Sequence, residues 1–79
     1  MRSFTLYGTL GCHLCEQAEA LLAPMLEPLQ LELRAVDIST SDDLLVRYGV
    51  RIPVLQRDGD GAELGWPFDQ SDVVRFVAV

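Results

Sequence analysis

The sequence contains no lysine, and twelve acidic residues outnumber its six arginines. The formal net charge of -6 excludes phosphate backbones and anionic membranes as leading partners, because both are bound by clustered basic side chains. The first residues lack a basic segment followed by an apolar run, and no stretch is apolar for the roughly 20 residues needed to span a bilayer. We therefore expect a cytoplasmic protein that binds neither nucleic acid nor membrane.

The chain is also short and poor in cysteine, with 79 residues and two cysteines. This length supports one small hydrophobic core, so we expect a single domain over residues 1–79, and we expect it to be a monomer. Two cysteines in a reducing compartment seldom form a permanent cross-link. These two are only three residues apart, and a disulfide that closes so short a loop adds little stability. We therefore expect the pair to be catalytic or to bind a metal rather than to stabilise the fold.

The two cysteines form a C-x-x-C motif, Cys12-His13-Leu14-Cys15, between a strand-like and a helix-like segment. Thiols at this spacing reach one another across the first helical turn, as in reversible dithiols. A cysteine at a helix start faces unpaired backbone N–H groups and the positive end of the helix dipole, which favour its thiolate. Cys12 is the predicted nucleophile and Cys15 the resolving thiol, with a Cys12–Cys15 disulfide as the oxidised form.

Four other residues have a functional and a structural interpretation. His13, which we include among the catalytic residues, would stabilise the Cys12 thiolate as an imidazolium; the alternative is an exposed side chain without effect. Tyr7 and Trp66 are candidates for an apolar rim around the sulfur, with core packing as the alternative. Asp37 fits a cap or turn better than a buried proton relay, and we leave it out of the site.

Hydrophobic spacing predicts the element order β-α-β-α-β-β-α. The β-α-β start implies parallel pairing of the first two strands, and the Asp-Gly pairs between the last two imply a hairpin. The second helix is expected to begin at a capping pair, Ser39 with Asp42 or Thr40 with Asp43, and the third at Asp69. The predicted strands cover 3–7, 31 to 36 or 37, 54–56 and 62–64. The predicted helices cover 14 to about 23, the segment from the Ser39 or Thr40 cap to near residue 49, and 69 onward.

Two segments of this sequence resemble the glutaredoxin-like family of the thioredoxin-fold superfamily, namely Tyr7-Gly8-Thr9-Leu10-Gly11-Cys12-His13-Leu14-Cys15 and Val50-Arg51-Ile52-Pro53-Val54. The resemblance implies an α/β, thioredoxin-like (glutaredoxin-type) fold with a four-stranded mixed sheet and helices on both faces. It also implies that Pro53 is cis and lies beside the Cys12 sulfur, with the Ile52 backbone free to pair with an extended substrate segment.

Two features depart from the glutaredoxin pattern. Thr9 occupies the position of a basic residue that holds a glutathione carboxylate in glutaredoxins. The segment Gly65-Trp66-Pro67-Phe68-Asp69 retains only Gly65 and Asp69 of the Gly-Gly and Asp pattern that binds the other end of glutathione. The residues expected to contact substrate are Thr9, Ile52, Pro53, Gly65 and Trp66.

The predicted function is that of a thiol–disulfide oxidoreductase that reduces a protein or small-molecule disulfide through a mixed disulfide. It needs no bound cofactor or metal, and its electrons come from glutathione or a reductase. One alternative is a dimeric iron–sulfur or zinc carrier that uses Cys12 and an outside thiol. The other is a non-catalytic adaptor that keeps the fold for docking alone.

The missing base at Thr9 and the absence of lysine predict weak glutathione binding. Activity on a glutathionylated substrate should therefore be low compared with activity on a protein disulfide, and Thr9→Lys should raise it. Steady-state turnover of both substrates by the two proteins measures this. Efficient turnover of the glutathionylated substrate by the unmodified protein would contradict the prediction.

Overall fold

A computed structural model describes residues 2–78 of the chain, which form four strands and three α-helices in the predicted order. None of the helices in this range is long and apolar enough to cross a membrane. The elements are β1 (Arg2–Gly8), α1 (His13–Leu22), β2 (Leu31–Asp37), α2 (Asp42–Tyr48), β3 (Val54–Arg57), β4 (Glu63–Gly65) and α3 (Gln70–Val77), with 3-10 turns at Ala23–Met25 and Ile38–Thr40.

The strands form one mixed sheet in the order β2-β1-β3-β4. β1 pairs parallel with β2 and antiparallel with β3, and β3 and β4 form an antiparallel hairpin. The central strand β1 carries three consecutive buried residues, Phe4, Thr5 and Leu6. The predicted parallel pair, hairpin and mixed sheet are confirmed.

Alternating residues of the strands supply two cores on opposite faces of the sheet. Phe4, Leu6 and Leu55 belong to the larger core, which also includes Ala18 and Leu22 of α1 and Val73 and Val77 of α3. The smaller core contains Val54 and Tyr48, with Tyr7 packed against it. Helices α1 and α3 therefore cover one face and α2 the other, as the family resemblance implied.

The predicted start of α2 is wrong. Ser39 and Thr40 lie in a 3-10 turn, because the Asp37 carboxylate accepts the Ser39 N–H at 2.9 Å and the Ser39 hydroxyl at 2.8 Å. The actual N-cap is Ser41, whose Oγ accepts the Leu44 N–H at 3.4 Å. Asp37 thus ends β2 as a cap, which was the structural interpretation of its position.

The start of α3 is confirmed. Asp69 is its N-cap, and Asp69 and Asp72 each accept the backbone N–H of the other in a capping box. Phe68 before the cap and Val73 within the first turns are both buried in the larger core, as expected for a hydrophobic staple. This cap directs the chain from β4 back across the sheet.

A cluster around Tyr48 joins the end of α2 to β4. The Tyr48 ring is 1% exposed and stacks on Tyr7 with ring centroids 4.2 Å apart. Its hydroxyl donates to Glu63 Oε2 at 2.7 Å, and Arg51 donates to Glu63 Oε1 at 2.5 Å. Burial, followed by the Glu63 bond, raises the pKa of Tyr48 to about 12. The bonds from Tyr48 and Arg51 lower the pKa of Glu63.

Replacing Glu63 with Gln should destabilise the fold near neutral pH by about 1 kcal/mol, because an acceptor remains but its charge is lost. Folding lowers the pKa of Glu63, so the unfolded chain takes up the proton first on acidification. The charge contribution is therefore complete above the ordinary value of 4.5 and is lost as the pH falls through the lower folded value.

Urea unfolding of both proteins at neutral and acidic pH measures this difference in free energy of unfolding. Glu27→Gln is the matched control, because Glu27 is exposed and its side chain makes no hydrogen bond within residues 2–78. A Glu63→Gln deficit that stays constant down to low pH would rule out the charge explanation.

Candidate active site

The ends of four strands meet at one end of the sheet. Gly8 of β1 lies opposite Asp37 of β2, and Val54 of β3 lies opposite both Tyr7 and Gly65. Since Tyr7 pairs with Val54, Pro53 precedes β3 beside Gly8. The C-x-x-C motif follows β1 at this same end, so the strand register brings most of the predicted site residues together.

The two cysteines lie where the sequence placed them relative to α1. Cys12 is the N-cap of the helix, with extended backbone, and its Sγ accepts the Cys15 N–H at 3.2 Å. Gly11 precedes it at φ 74°, a left-handed conformation that suits glycine. Cys15 is 5% exposed on the apolar face of α1, and a disulfide joins the two sulfurs, with the Cα atoms 5.2 Å apart.

Gly8 allows Cys15 to lie directly against the end of the central strand. A Cβ added to Gly8 would lie 3.1 Å from the Cys15 Sγ and 3.2 Å from its Cβ. These distances are shorter than ordinary van der Waals contacts, so a side chain at position 8 would displace the cysteine. The absence of a side chain here is part of how the site is built.

His13 is the first residue of α1 and is highly exposed. Its side chain is 84% accessible, and its Nδ1 lies 3.7 Å from Glu16 Oε2. A protonated imidazole in this position pairs with the Glu16 carboxylate, which competes with the Cys12 sulfur for its charge. An effect of His13 on the Cys12 thiolate stays a prediction.

The segment before β3 differs from the expectation for Ile52. The Ile52–Pro53 peptide is cis. The Ile52 N–H, however, donates to the Tyr48 carbonyl at 3.1 Å, and the Arg51 N–H donates to the same oxygen at 2.8 Å. The expectation that the Ile52 backbone is free is therefore wrong for its N–H, because the carbonyl at the end of α2 accepts both donors.

Gly65 ends the hairpin strand β4, and Trp66 follows it beside Pro53. The Trp66 N–H donates to the Pro53 carbonyl at 3.2 Å, and the Trp66–Pro67 peptide is also cis. The half-buried Trp66 ring packs against the larger core and meets Phe68 edge to face, with centroids 5.0 Å apart. Trp66, like Tyr7, therefore contributes to core packing, while Gly65 is exposed.

Thr9 is hydrogen-bonded to Asp37, a residue that was not among the predicted site residues. The Thr9 hydroxyl donates to Asp37 Oδ1 at 3.0 Å. The Ser39 N–H, the Ser39 hydroxyl and this Thr9 bond lower the pKa of Asp37. Asp37 also lines a cavity of about 160 Å³ that reaches Cys15. The signal in the sequence was an aspartate at the end of a strand, which describes a cap equally well.

A metal site at the two cysteines would require further ligands. Within residues 2–78, no three His, Cys, Asp or Glu side chains are grouped so as to hold a metal ion. A four-ligand zinc or cluster site at Cys12 and Cys15 would need ligands from another molecule.

A four-stranded mixed sheet with a C-x-x-C at the start of its first helix defines a thioredoxin-like fold of the glutaredoxin type. Residues 3–78 match the glutaredoxin-like domain (DUF836), and the chain belongs to this family. No protein with a curated description matches the chain.

Solved structures of similar proteins share the fold. The crystal structure of the structural-genomics target protein XcR50 from X. campestris is 37% identical with a TM-score of 0.82, and the match covers 95% of each chain. Its solution structure is 36% identical with a TM-score of 0.79, covering 99% of this chain and 94% of that one. Protein Ne2328 from Nitrosomonas europaea is 30% identical with a TM-score of 0.81, covering 95% and 89%.

Gly8→Ala should destabilise the oxidised protein by about 1–3 kcal/mol, because the new methyl group overpacks against a sulfur that the disulfide holds in place. Gly65→Ala is the matched control at the same end of the sheet, since a Cβ there meets nothing within 4 Å. Thermal or urea unfolding of the oxidised proteins measures both. Equal stability of the two variants would show that the site tolerates a methyl group at position 8 beside Cys15.

Proposed function

We propose that this protein is a thiol–disulfide oxidoreductase in which Cys12 attacks a substrate disulfide and Cys15 resolves the mixed disulfide. The main support is the position of the Cys12 sulfur at the N-cap of α1, where it accepts the Cys15 N–H at 3.2 Å. This donor and the helix dipole favour a thiolate. Cys15 is buried, so an incoming disulfide meets Cys12 first.

The reaction consists of two balanced exchanges. The Cys12 thiolate bonds to one substrate sulfur, and the other leaves as a thiolate that takes up a proton. Cys15 then loses its proton and attacks the Cys12 sulfur, which releases the second substrate thiol and closes the Cys12–Cys15 bond. Two electrons pass from the dithiol to the substrate, and an external thiol donor, glutathione or a reductase, reduces the protein again.

The charges near the site favour a protein substrate over glutathione. Thr9 stands at the position of the basic residue of glutaredoxins, and its hydroxyl is bonded to the Asp37 carboxylate. A glutathione carboxylate placed there would face a like charge, and no lysine elsewhere in the chain offsets it. We therefore propose that a cytoplasmic protein disulfide is the substrate of this monomer, with no bound cofactor.

In the reduced protein, Cys12 should have a pKa below the value of about 8.5 for a free thiol, and Cys15 should react more slowly. Alkylation rates across the pH range, measured on Cys15→Ser and on Cys12→Ser, report the two thiols separately. Cys15→Ser should also accumulate a mixed disulfide with a protein substrate, whereas Cys12→Ser should not.

Equal alkylation rates of Cys12 and Cys15, together with an unshifted Cys12 pKa, would contradict the proposed mechanism. Visible absorbance of the freshly purified protein would favour the iron–sulfur alternative, because such clusters are coloured. Unchanged partner binding in a folded Cys12→Ser, Cys15→Ser double variant, together with no disulfide reduction by the unmodified protein, would favour the adaptor.

A further inference from the structure

We propose that the cavity beside Cys15 binds a basic side chain, lysine or arginine, that lies close in sequence to the reactive cysteine of the substrate. This inference rests on the proposed function and specifies its substrate. The cavity lies in the groove between α1 and the edge strand β2, on the Asp37 side of Gly8, whereas Pro53 lies on the other side.

The size of the cavity suits one side chain. Its volume is about 160 Å³, and a protein cavity of about 150 Å³ accommodates a benzene molecule. The space exists because β2 has the small Ala35 opposite Leu6, and α1 leaves this end of the edge strand uncovered. Leu6, Leu10 and Val36 supply further apolar surface for a methylene chain.

The charged groups that line the cavity are both acidic, Glu19 and Asp37, and no arginine lines it among residues 2–78. The three hydrogen bonds that the Asp37 carboxylate accepts all go to Oδ1, from Thr9 and Ser39. Within the described part of the chain, Oδ2 has no donor. A cavity lined by apolar side chains and two carboxylates matches a long basic side chain, which has an apolar stem and a cationic tip.

The cavity is also close enough to Cys12 for a substrate bonded there to reach it. Cys15 lines it, and the Cα atoms of Cys12 and Cys15 are 5.2 Å apart. An extended substrate chain advances about 3.3 Å per residue, so a side chain one or two residues from a cysteine bonded to Cys12 reaches this opening. The exposed Leu10 at the rim offers an apolar contact for the intervening residues.

The test compares disulfide peptides that are identical except for one residue near the cysteine, which is Lys, Met or Glu. Each position up to two residues on either side is scanned, and the rate of reduction by the reduced protein is measured. At the best position Lys should exceed Met by about fivefold at low ionic strength, with Glu slowest, and the advantage should fall as salt is added.

Two kinds of variant locate the effect. Ala35→Leu fills the cavity without changing charge and should bring the Lys-to-Met rate ratio close to one, whereas Ala20→Leu on the exposed face of α1 should preserve it. Glu19→Gln combined with Asp37→Asn should lower the ratio, because Asn keeps the cap at Ser39 but not the charge. Glu27→Gln is the matched charge control and should leave the ratio unchanged.

Equal rates for the Lys, Met and Glu peptides would overturn the cavity proposal and leave the oxidoreductase intact. A lysine preference that survives Ala35→Leu would also overturn it. If no peptide is reduced, the proposed function fails. Binding to the cavity is then tested separately with a Lys peptide in which a non-reducible thioether replaces the disulfide. Amide chemical-shift changes at Ala35 and Val36 that Ala35→Leu abolishes would support the site, and their absence would refute it.

Discussion

The close approach of the Cys15 side chain to Gly8, within 3.1 Å of where a Cβ would lie, is the constraint on which the site depends. Gly8 ends β1, the strand that pairs with both β2 and β3. Because Gly8 has no side chain, α1 begins close to the sheet, and Cys15 occupies space near the position that a Cβ would take. The buried Cys15 side chain therefore packs against the end of the central strand, while Cys12 lies at the N-cap of α1.

Two carboxylates near this end of the sheet have different surroundings. Glu63 receives hydrogen bonds from Tyr48 and Arg51 on its two oxygens, so its charge is compensated and it stabilises the segment that leads into β3. The Asp37 carboxylate accepts its hydrogen bonds through one oxygen and has no cation paired with it in residues 2–78. The first arrangement stabilises the fold, and the second leaves a negative charge among the residues that line the cavity beside Cys15.

Local sequence patterns predict the structure correctly where a few neighbouring residues decide the conformation. Asp69 caps α3 because Asp72 reciprocates one turn later, and helical spacing alone puts Cys15 on the buried face of α1. They fail at α2, where Ser39 and Ser41 have nearly equal capping ability. The choice between them was made by Asp37, whose carboxylate holds Ser39 in the preceding turn.

The sequence by itself determined the order of the elements, the C-x-x-C at a helix start, the family resemblance and the acidic charge, because each follows from residue type and short-range spacing. Only the tertiary structure decided that Thr9 bonds to Asp37, 28 residues away. This bond depends on the register of β1 and β2, which places Gly8 opposite Asp37. The cavity beside Cys15 likewise requires α1 and β2 to be placed side by side, which no local pattern specifies.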